Sequence, residues 1–128
     1  IAISMAGHEA RNYETAAWVA SELVKRHQRN ELISPVLLNV NVPDVPREEL
    51  KGFEVTRLGK RHKAEPAVKA TNPRGETVYW IGAAGAVADA GPGTDFHATE
   101  NNRVSITPLQ VDLTNYQQMK YAAEWISA

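Results

Sequence analysis

The stretch Val36-Leu37-Leu38-Asn39-Val40-Asn41-Val42 decides how this chain folds, and Pro43 follows it directly. A short run of apolar, largely branched residues is typical of a strand inside a sheet, and proline ends such a run because it has no N–H for the ladder. Before it, residues 13–24 carry apolar side chains at helical spacing, and residues 1–5 read as another strand. Strand, helix and strand in this order predict the βαβ-like unit of a doubly wound α/β sheet.

The two ends of this unit carry further signals. Asn12 is the predicted N-cap of the helix, with Glu14 in the first turn facing the positive end of the helix dipole. The chain opens in Ile1-Ala2-Ile3-Ser4-Met5, with no initiator methionine and no polar lead-in. Such an apolar run usually sits within a parallel sheet, so we expect residue 1 to be an internal position of a larger α/β domain.

A β-hairpin arm is predicted in the middle of the chain. Residues 53–58 read as a strand that Gly59 interrupts, and residues 61–82 read as a long hairpin. Its turn is Asn72-Pro73-Arg74-Gly75, in which proline presets φ and glycine accepts a positive φ. An arm of this kind is not stable alone in water, so it must pack on its own domain or on another subunit.

The last third of the chain predicts one more strand and a terminal helix. Residues 95–102 read as a loop, and the strand that begins at residue 103 is expected to end before Pro108. Thr114 and Gln117 form a capping-box pattern, and apolar residues recur at helical spacing after them.

Composition limits the kinds of site that the chain can hold. The 128 residues include no cysteine, which excludes disulfides, zinc–thiolate sites and cysteine nucleophiles within them. Hydrophobic content of 43% and charged content of 23% are ordinary for a globular domain. No apolar run approaches the roughly 20 residues that cross a bilayer, so no membrane association is expected.

Charge is distributed unevenly although the net charge is only −1. Residues 51–74 hold seven basic and two acidic side chains, whereas residues 75–114 hold one basic and five acidic ones. A basic arm beside an acidic segment could attract a polyanion such as RNA or a second copy of the chain. The alternative is a solvated hairpin whose charges oppose strand-to-strand aggregation.

No carboxylate or glycine pattern by itself predicts a catalytic centre. Asp89, Asp95 and Glu100 could pair for metal binding or acid–base work, but their spacing matches no defined loop, and Asp95 could equally cap a turn. Gly82-Ala83-Ala84-Gly85 and Gly91-Pro92-Gly93 lack the following helix start, or the lysine, that a phosphate-binding loop needs.

The histidines also lack a metal-ligand pattern, because no two of them stand four residues apart with a glutamate between. They are His8, His27, His62 and His97. His62 belongs to the basic group Lys60-Arg61-His62-Lys63, where it could contact a phosphate or simply lie exposed on the hairpin.

Several motifs in a fixed order resemble the C-terminal half of the SurE family (stationary-phase survival protein E), and the resemblance covers nearly the whole chain. The motifs are Leu38-Asn39-Val40-Asn41-Val42-Pro43-Asp44, Val55-Thr56-Arg57-Leu58-Gly59-Lys60-Arg61-His62, Asn72-Pro73-Arg74-Gly75, Tyr79-Trp80-Ile81-Gly82, Ala90-Gly91-Pro92-Gly93-Thr94-Asp95 and Val104-Ser105-Ile106-Thr107-Pro108-Leu109.

The resemblance implies a cytoplasmic, oligomeric phosphatase that releases phosphate from nucleoside 5′- or 3′-monophosphates, with short polyphosphate as a further possible substrate. It implies one divalent metal ion, Mg or Mn, whose ligands lie upstream of residue 1, so that no catalytic or metal-binding residue is expected in this chain. No specific nucleic acid is expected as a partner. The implied fold is a Rossmann-like, three-layer α/β/α sandwich with a protruding hairpin arm and a C-terminal helix.

The resemblance also divides the chain. Residues 1–59 would supply sheet and helix elements, 60–82 the arm, 83–113 a loop and the last strand, and 114–128 a terminal helix exchanged with a partner in a dimer or tetramer. Residues expected near the substrate are Arg57, His62 and Asp95. Residues expected at the subunit interface are Asp112, Tyr116 and Trp125.

Overall fold

The structure, a computed structural model, describes residues 1–7, 9–32 and 37–127. His8, Val36 and Ala128, to which predictions referred, lie outside the described residues. The central element is a four-stranded sheet. With strands numbered along the chain, its spatial order is β1 (Ala2–Ala6), β2 (Leu37–Pro43), β8 (Val104–Leu109) and β3 (Phe53–Val55).

Strand directions make this a mixed sheet. β1 runs parallel to β2, with Ile3 opposite Val40, whereas β8 runs antiparallel to β2 and parallel to β3. The helix α1 (Tyr13–Arg29) connects the parallel pair, so the predicted βαβ unit and the α/β class are confirmed. Because β8 reverses direction, β3 runs opposite to β2, and its end lies at the edge where β2 begins.

The hydrophobic core lies between α1 and one face of the sheet. Apolar side chains occupy every second position of a strand, so those of one strand lie on the same face of the sheet. The buried members are Val19, Leu23, Leu38, Val40, Val42 and Val104, with Ile3, Met5, Trp18, Phe53 and Ile106 packed against them.

The face of α1 that is buried differs from the apolar positions that its spacing identified. Thr15, Val19 and Leu23 are buried, whereas Tyr13 is 65% and Val24 51% exposed. Thr15 can face inward because its hydroxyl donates to the carbonyl of Val45 at 2.9 Å. The helical period was predicted correctly, but which side of α1 faces the core depends on tertiary partners such as Val45.

The opposite face of the sheet is polar and is covered by α2 (Asp95–Glu100), which packs on β8 and β2. This helix corrects the expected loop at residues 95–102. Thr94 begins it, because its side-chain oxygen accepts from the N–H of His97 at 3.2 Å. Ala98, at the centre of the helix, is fully buried.

β8 continues through Pro108, which the sequence suggested would end the strand. The N–H of Val104 donates to the carbonyl of Gly52, and the carbonyl of Ile106 accepts from the N–H of Thr56. Both groups therefore point toward β3. Pro108 lies in the same alternation, so its missing N–H faces the region beyond the end of β3. Its neighbours Thr107 and Leu109 keep the register with β2.

The arm consists of two successive antiparallel pairs. At its base β4 (Lys60–Arg61) pairs with β7 (Val87–Asp89), and at its tip β5 (Val68–Thr71) pairs with β6 (Thr77–Trp80). The arm therefore extends to Asp89, and β7 lies within the stretch 83–113 expected to hold only a loop and the last strand. Most of its side chains are exposed.

The predicted turn at the tip is confirmed. Gly75 has a φ of 81°, and its N–H donates to the carbonyl of Asn72 at 2.9 Å. The side-chain oxygen of Asn72 also accepts from the N–H groups of Arg74 and Glu76, each at 3.0 Å.

The terminal helix α3 (Tyr116–Ile126) has no buried residue among those described. Its N-cap is Asn115, whose side chain accepts from the N–H of Gln118 at 3.2 Å, so the predicted capping box on Thr114 is wrong. The N–H of Thr114 is instead bound by the carboxylate of Asp112. Within the described residues, no helix is both long and apolar enough to cross a membrane.

Candidate functional site

The carboxyl ends of β1 and β2 form the edge of the sheet where α/β proteins usually bind ligands. β1 ends at Ala6 and β2 at Pro43, and these two residues pair with each other. Residues 9–12 lead into α1, and Asp44 follows β2 directly. We call residues 9–12, the described part of this connection that precedes α1, the β1–α1 loop.

Asp44 ties this loop to the end of β2. Its Oδ1 accepts from the backbone N–H of Asn12 at 2.8 Å, from the Nδ2 of Asn12 at 3.0 Å and from the N–H of Arg11 at 3.0 Å. Its Oδ2 lies 3.1 Å from the same Arg11 N–H. The Asn12 backbone N–H, followed by that of Arg11, holds the pKa of Asp44 below its usual range.

Asn12 therefore has a different role from the predicted one. Its side chain makes no capping hydrogen bond to α1, because the amide donates to Asp44 instead. Its carbonyl still accepts from the N–H of Thr15 at 3.0 Å, so α1 begins at the predicted place.

A cleft of about 600 Å³ opens beside the β1–α1 loop. Arg11, Tyr13 and Glu14 line one side, and Arg47 and Glu48 line the other. The guanidinium of Arg47 is engaged over the ring of Trp18, at 4.4 Å from its centroid. The lining thus includes two arginines and two glutamates, and the cleft has no excess of either charge.

Arg57 and Asp95 meet at the opposite edge of the sheet, beyond the end of β3. The N–H of Asp95 donates to the carbonyl of Arg57 at 3.1 Å, and the Asp95 Oδ1 accepts from the N–H of Gly59 at 2.8 Å. The guanidinium of Arg57 binds both carboxylate oxygens of Asp89, at 2.6 and 3.2 Å. These contacts join the base of the arm to the start of α2.

The ion pair shifts the pKa of both partners in the expected directions. The hydrogen bond from Arg57 is the main reason why the pKa of Asp89 is lowered, and the hydrogen bond to Asp89 is the main reason why that of Arg57 is raised. Both side chains are partly exposed, so solvent screens the pair and its stabilising effect is modest.

His62 is exposed on the arm, where its backbone N–H donates to the carbonyl of Ala86 at 2.8 Å. Arg57 and Asp95, expected with it near a substrate, bond each other but make no hydrogen bond or ion pair with His62 among the described contacts.

Two of the three predicted interface residues are close together. The Tyr116 hydroxyl donates to the Oδ2 of Asp112 at 2.5 Å, and the N–H of Thr114 donates to the Oδ1 at 2.9 Å. These bonds, that of Tyr116 first, lower the pKa of Asp112. Trp125 lies at the far end of α3 and is 72% exposed.

Asp44, Asp89 and Asp95 are engaged with protein partners rather than gathered for a metal. Among the described residues, no three His, Cys, Asp or Glu side chains come together in a way that could hold a metal ion. Asp44 binds backbone N–H groups, Asp89 binds Arg57, and Asp95 binds Gly59. This donor set does not fit a divalent cation, and we assign no metal ligand here.

Asp44 is the residue of this edge that the sequence did not single out. A signal was present, since an aspartate directly after a strand that pairs in parallel with its βαβ partner stands at the ligand-binding edge. Its partners lie 32 and 33 residues away, and no local pattern identified them.

The mixed sheet, the helices on both of its faces and the open carboxyl edge define an α/β protein with an added hairpin arm. The family model described as "Survival protein SurE" matches residues 1–65. This chain belongs to the SurE family.

Curated relatives are similar in sequence to this chain along nearly its whole length. A protein of Methylobacillus flagellatus named "5'-nucleotidase SurE" is 60% identical over 98% of this chain and 51% of its own length. Proteins of the same name from Nitrosomonas eutropha and Coxiella burnetii are 61% and 53% identical over 98% of this chain. The crystal structure of the "Sure Protein from Aquifex aeolicus" is similar with a TM-score of 0.74 and 39% identity, over 98% of this chain and 50% of that one. The chain spans about half the length of the relatives that it matches.

Proposed function

We propose that the complete protein carrying this chain is a 5′-nucleotidase, which hydrolyses the phosphate ester of nucleoside monophosphates. The observation that carries the proposal is the identity of 53–61% over 98% of the chain with proteins named 5'-nucleotidase SurE. Hydrolysis of 3′-nucleotides and of short polyphosphate, and a cytoplasmic location, belong to the same proposal through the family resemblance. No observation favours the alternative of a polyanion-binding arm.

One divalent ion, Mg or Mn, is part of the proposal, with its ligands outside this chain. When bound, such an ion orients the phosphate and activates a water molecule for attack. The residues of this chain supply the sheet edge, the β1–α1 loop and the contacts between subunits. A position of Arg57, His62 and Asp95 near the substrate stays a separate prediction, because Arg57 and Asp95 lie at the edge of the sheet opposite the β1–α1 loop.

We also propose that a second copy of the chain covers α3. At about 100° per residue, its apolar side chains occupy an arc of roughly 220°, which is wider than the stripe of a surface helix. Gln117, Lys120 and Glu124 share the remaining side, and Gln118 lies within the apolar arc. An isolated helix of 11 residues is marginal in water.

We propose that α3 packs into an apolar cleft of the second copy. A cleft of about 720 Å³, lined mainly by apolar side chains, opens between the end of α1 and the strands β2, β8 and β3. In this proposal the hydrogen bonds of Asp112 to Tyr116 and Thr114 set the direction in which α3 leaves the sheet, and Trp125 is buried by the partner.

The test of the activity is phosphate release from a panel of nucleoside monophosphates with Mg²⁺ or Mn²⁺, measured for the complete protein and for the 128-residue chain. We expect release by the complete protein only, and its loss when the metal is chelated. The absence of release from every nucleotide with either metal would contradict the proposal. Activity of the 128-residue chain alone would contradict the placement of the catalytic site, and Asp89, Asp95, His62 and His97 would then be the first residues to replace.

A further inference from the structure

The structure assigns to Asp44 the role of a positioning residue, which holds the β1–α1 loop in the geometry that binds the phosphate-ester substrate. This inference rests on the proposed nucleotidase function. The loop follows β1 at the carboxyl edge, and Asp44 reaches it from the end of β2, the neighbouring parallel strand. A loop at this edge is placed to contact a ligand, and its conformation therefore affects binding.

The hydrogen bonds of Asp44 fit the role of a positioning residue. A carboxylate offers about four lone-pair sites. The Asp44 carboxylate accepts from two backbone N–H groups, those of Arg11 and Asn12, and from the Asn12 amide. Oδ1 accepts from all three of these donors, and Oδ2 shares only the N–H of Arg11. A side chain engaged in this way orients the chain segment whose N–H groups it binds.

The helix α1 is held in place by contacts that do not involve Asp44. Thr15 bonds the carbonyl of Val45, and Val19 and Leu23 pack in the core. Those interactions hold α1 whether or not Asp44 is present. The Asp44 bonds act on residues 11 and 12, ahead of the first helical residue, so their loss frees the loop while α1 stays in place.

Thr15→Val is the matched control, because it breaks the one side-chain hydrogen bond between α1 and the segment after Asp44 and leaves the loop held. The variants Asp44→Ala, Asp44→Asn and Thr15→Val are made in the complete protein. For each, kcat and KM for a nucleoside monophosphate are measured with the thermal midpoint and with deuterium exchange of the peptide that spans the loop.

We expect Asp44→Ala to raise KM by roughly tenfold, because a loop that is no longer held has to be ordered on binding, which costs affinity. The loop should exchange faster in the same variant. The KM of Asp44→Asn should lie between those of the wild-type protein and Asp44→Ala, because the amide oxygen of asparagine can still accept the hydrogen bonds that Oδ1 accepts. Thr15→Val should lower the thermal midpoint and change KM by less than about twofold.

Equal KM values and equal loop exchange in Asp44→Ala and Thr15→Val would overturn the inference and leave Asp44 a purely structural role. A fall in kcat with unchanged KM would overturn it as well. If the wild-type protein releases no phosphate from any nucleotide, the proposed function fails. Exchange then still decides whether Asp44 holds the loop, and unchanged exchange in Asp44→Ala would reject the inference by itself.

Discussion

The ion pair between Arg57 and Asp89 is the clearest single-residue determinant of how the arm is attached. Its two hydrogen bonds, of 2.6 and 3.2 Å, join residues that are 32 positions apart. Asp89 also accepts from the N–H of Gly91, so one carboxylate organises both the end of β7 and the turn that leads to α2.

The titration of Asp89 tests this attachment. Because its pKa is lowered, the stabilisation is complete above the ordinary value of 3.8 and is lost as pH falls through the lower pKa of the folded protein. We expect a carbon-13 NMR titration of the Asp89 carboxyl to show a midpoint below 3.8. Arg57→Gln should move that midpoint upward.

Lys60→Gln is the control for this titration, because Lys60 lowers the pKa of Asp89 only through its charge and is the smallest of the causes. Its effect should be clearly smaller than that of Arg57→Gln. An equal or larger effect would mean that general charge, rather than the bidentate hydrogen bond, attaches the arm.

At the scale of elements, three hydroxyl groups join the end of β3 to β8. The Thr56 side chain lies 2.9 Å from the hydroxyl of Ser105 and 2.7 Å from that of Thr107, and all three residues are buried. Buried hydroxyls are costly without partners, so this cluster favours the register in which β3 pairs with β8.

Replacement of Thr56 in the complete protein tests the cluster. Thr56→Val keeps the shape but leaves the two hydroxyls of β8 without their partner, which should lower the free energy of unfolding by about 1–3 kcal/mol. Thr56→Ser keeps the hydroxyl and loses one methyl group, worth about 1 kcal/mol. Chemical denaturation should therefore rank the valine variant as less stable than the serine variant, and the reverse order would contradict the role of the hydroxyls.

Elements whose signals are local were predicted well. The arm turn depends on Asn72 and Gly75, which contact each other, and the period of α1 depends on its own residues. The elements that were missed depend on distant partners. α2 is only six residues long and is held by Arg57 and β8, and Pro108 remains in a strand because β3 ends before it.

At the scale of the whole molecule, α3 exposes several large apolar side chains to solvent. Tyr116, Met119, Trp125 and Ile126 are each more than half exposed. A set of large apolar side chains on one short helix is typical of a protein–protein interface.

Truncation of Trp125 tests the proposed association. In the complete protein, Trp125→Ala should weaken self-association by about 30-fold, since removal of a buried interface tryptophan costs about 2 kcal/mol or more. Light scattering over a dilution series measures the change in mass. Lys120→Ala is the control, because Lys120 lies on the polar side of α3 and is 90% exposed. An unchanged mass in Trp125→Ala at every concentration would exclude Trp125 from the interface.

The sequence by itself determined the α/β class, the βαβ unit, the hairpin turn and the membership of the SurE family. The strand that ends at Pro43 and the turn at residues 72–75 depend on residue order within a short window, and the family membership depends on motifs in a fixed order along the chain. Only the tertiary structure decided which face of α1 is buried, that Asp44 holds the β1–α1 loop, and that Arg57 and Asp95 meet at the edge opposite the carboxyl ends of β1 and β2. The physical reason is that burial and hydrogen bonds between residues more than 30 positions apart depend on strand order and direction, which no local pattern contains.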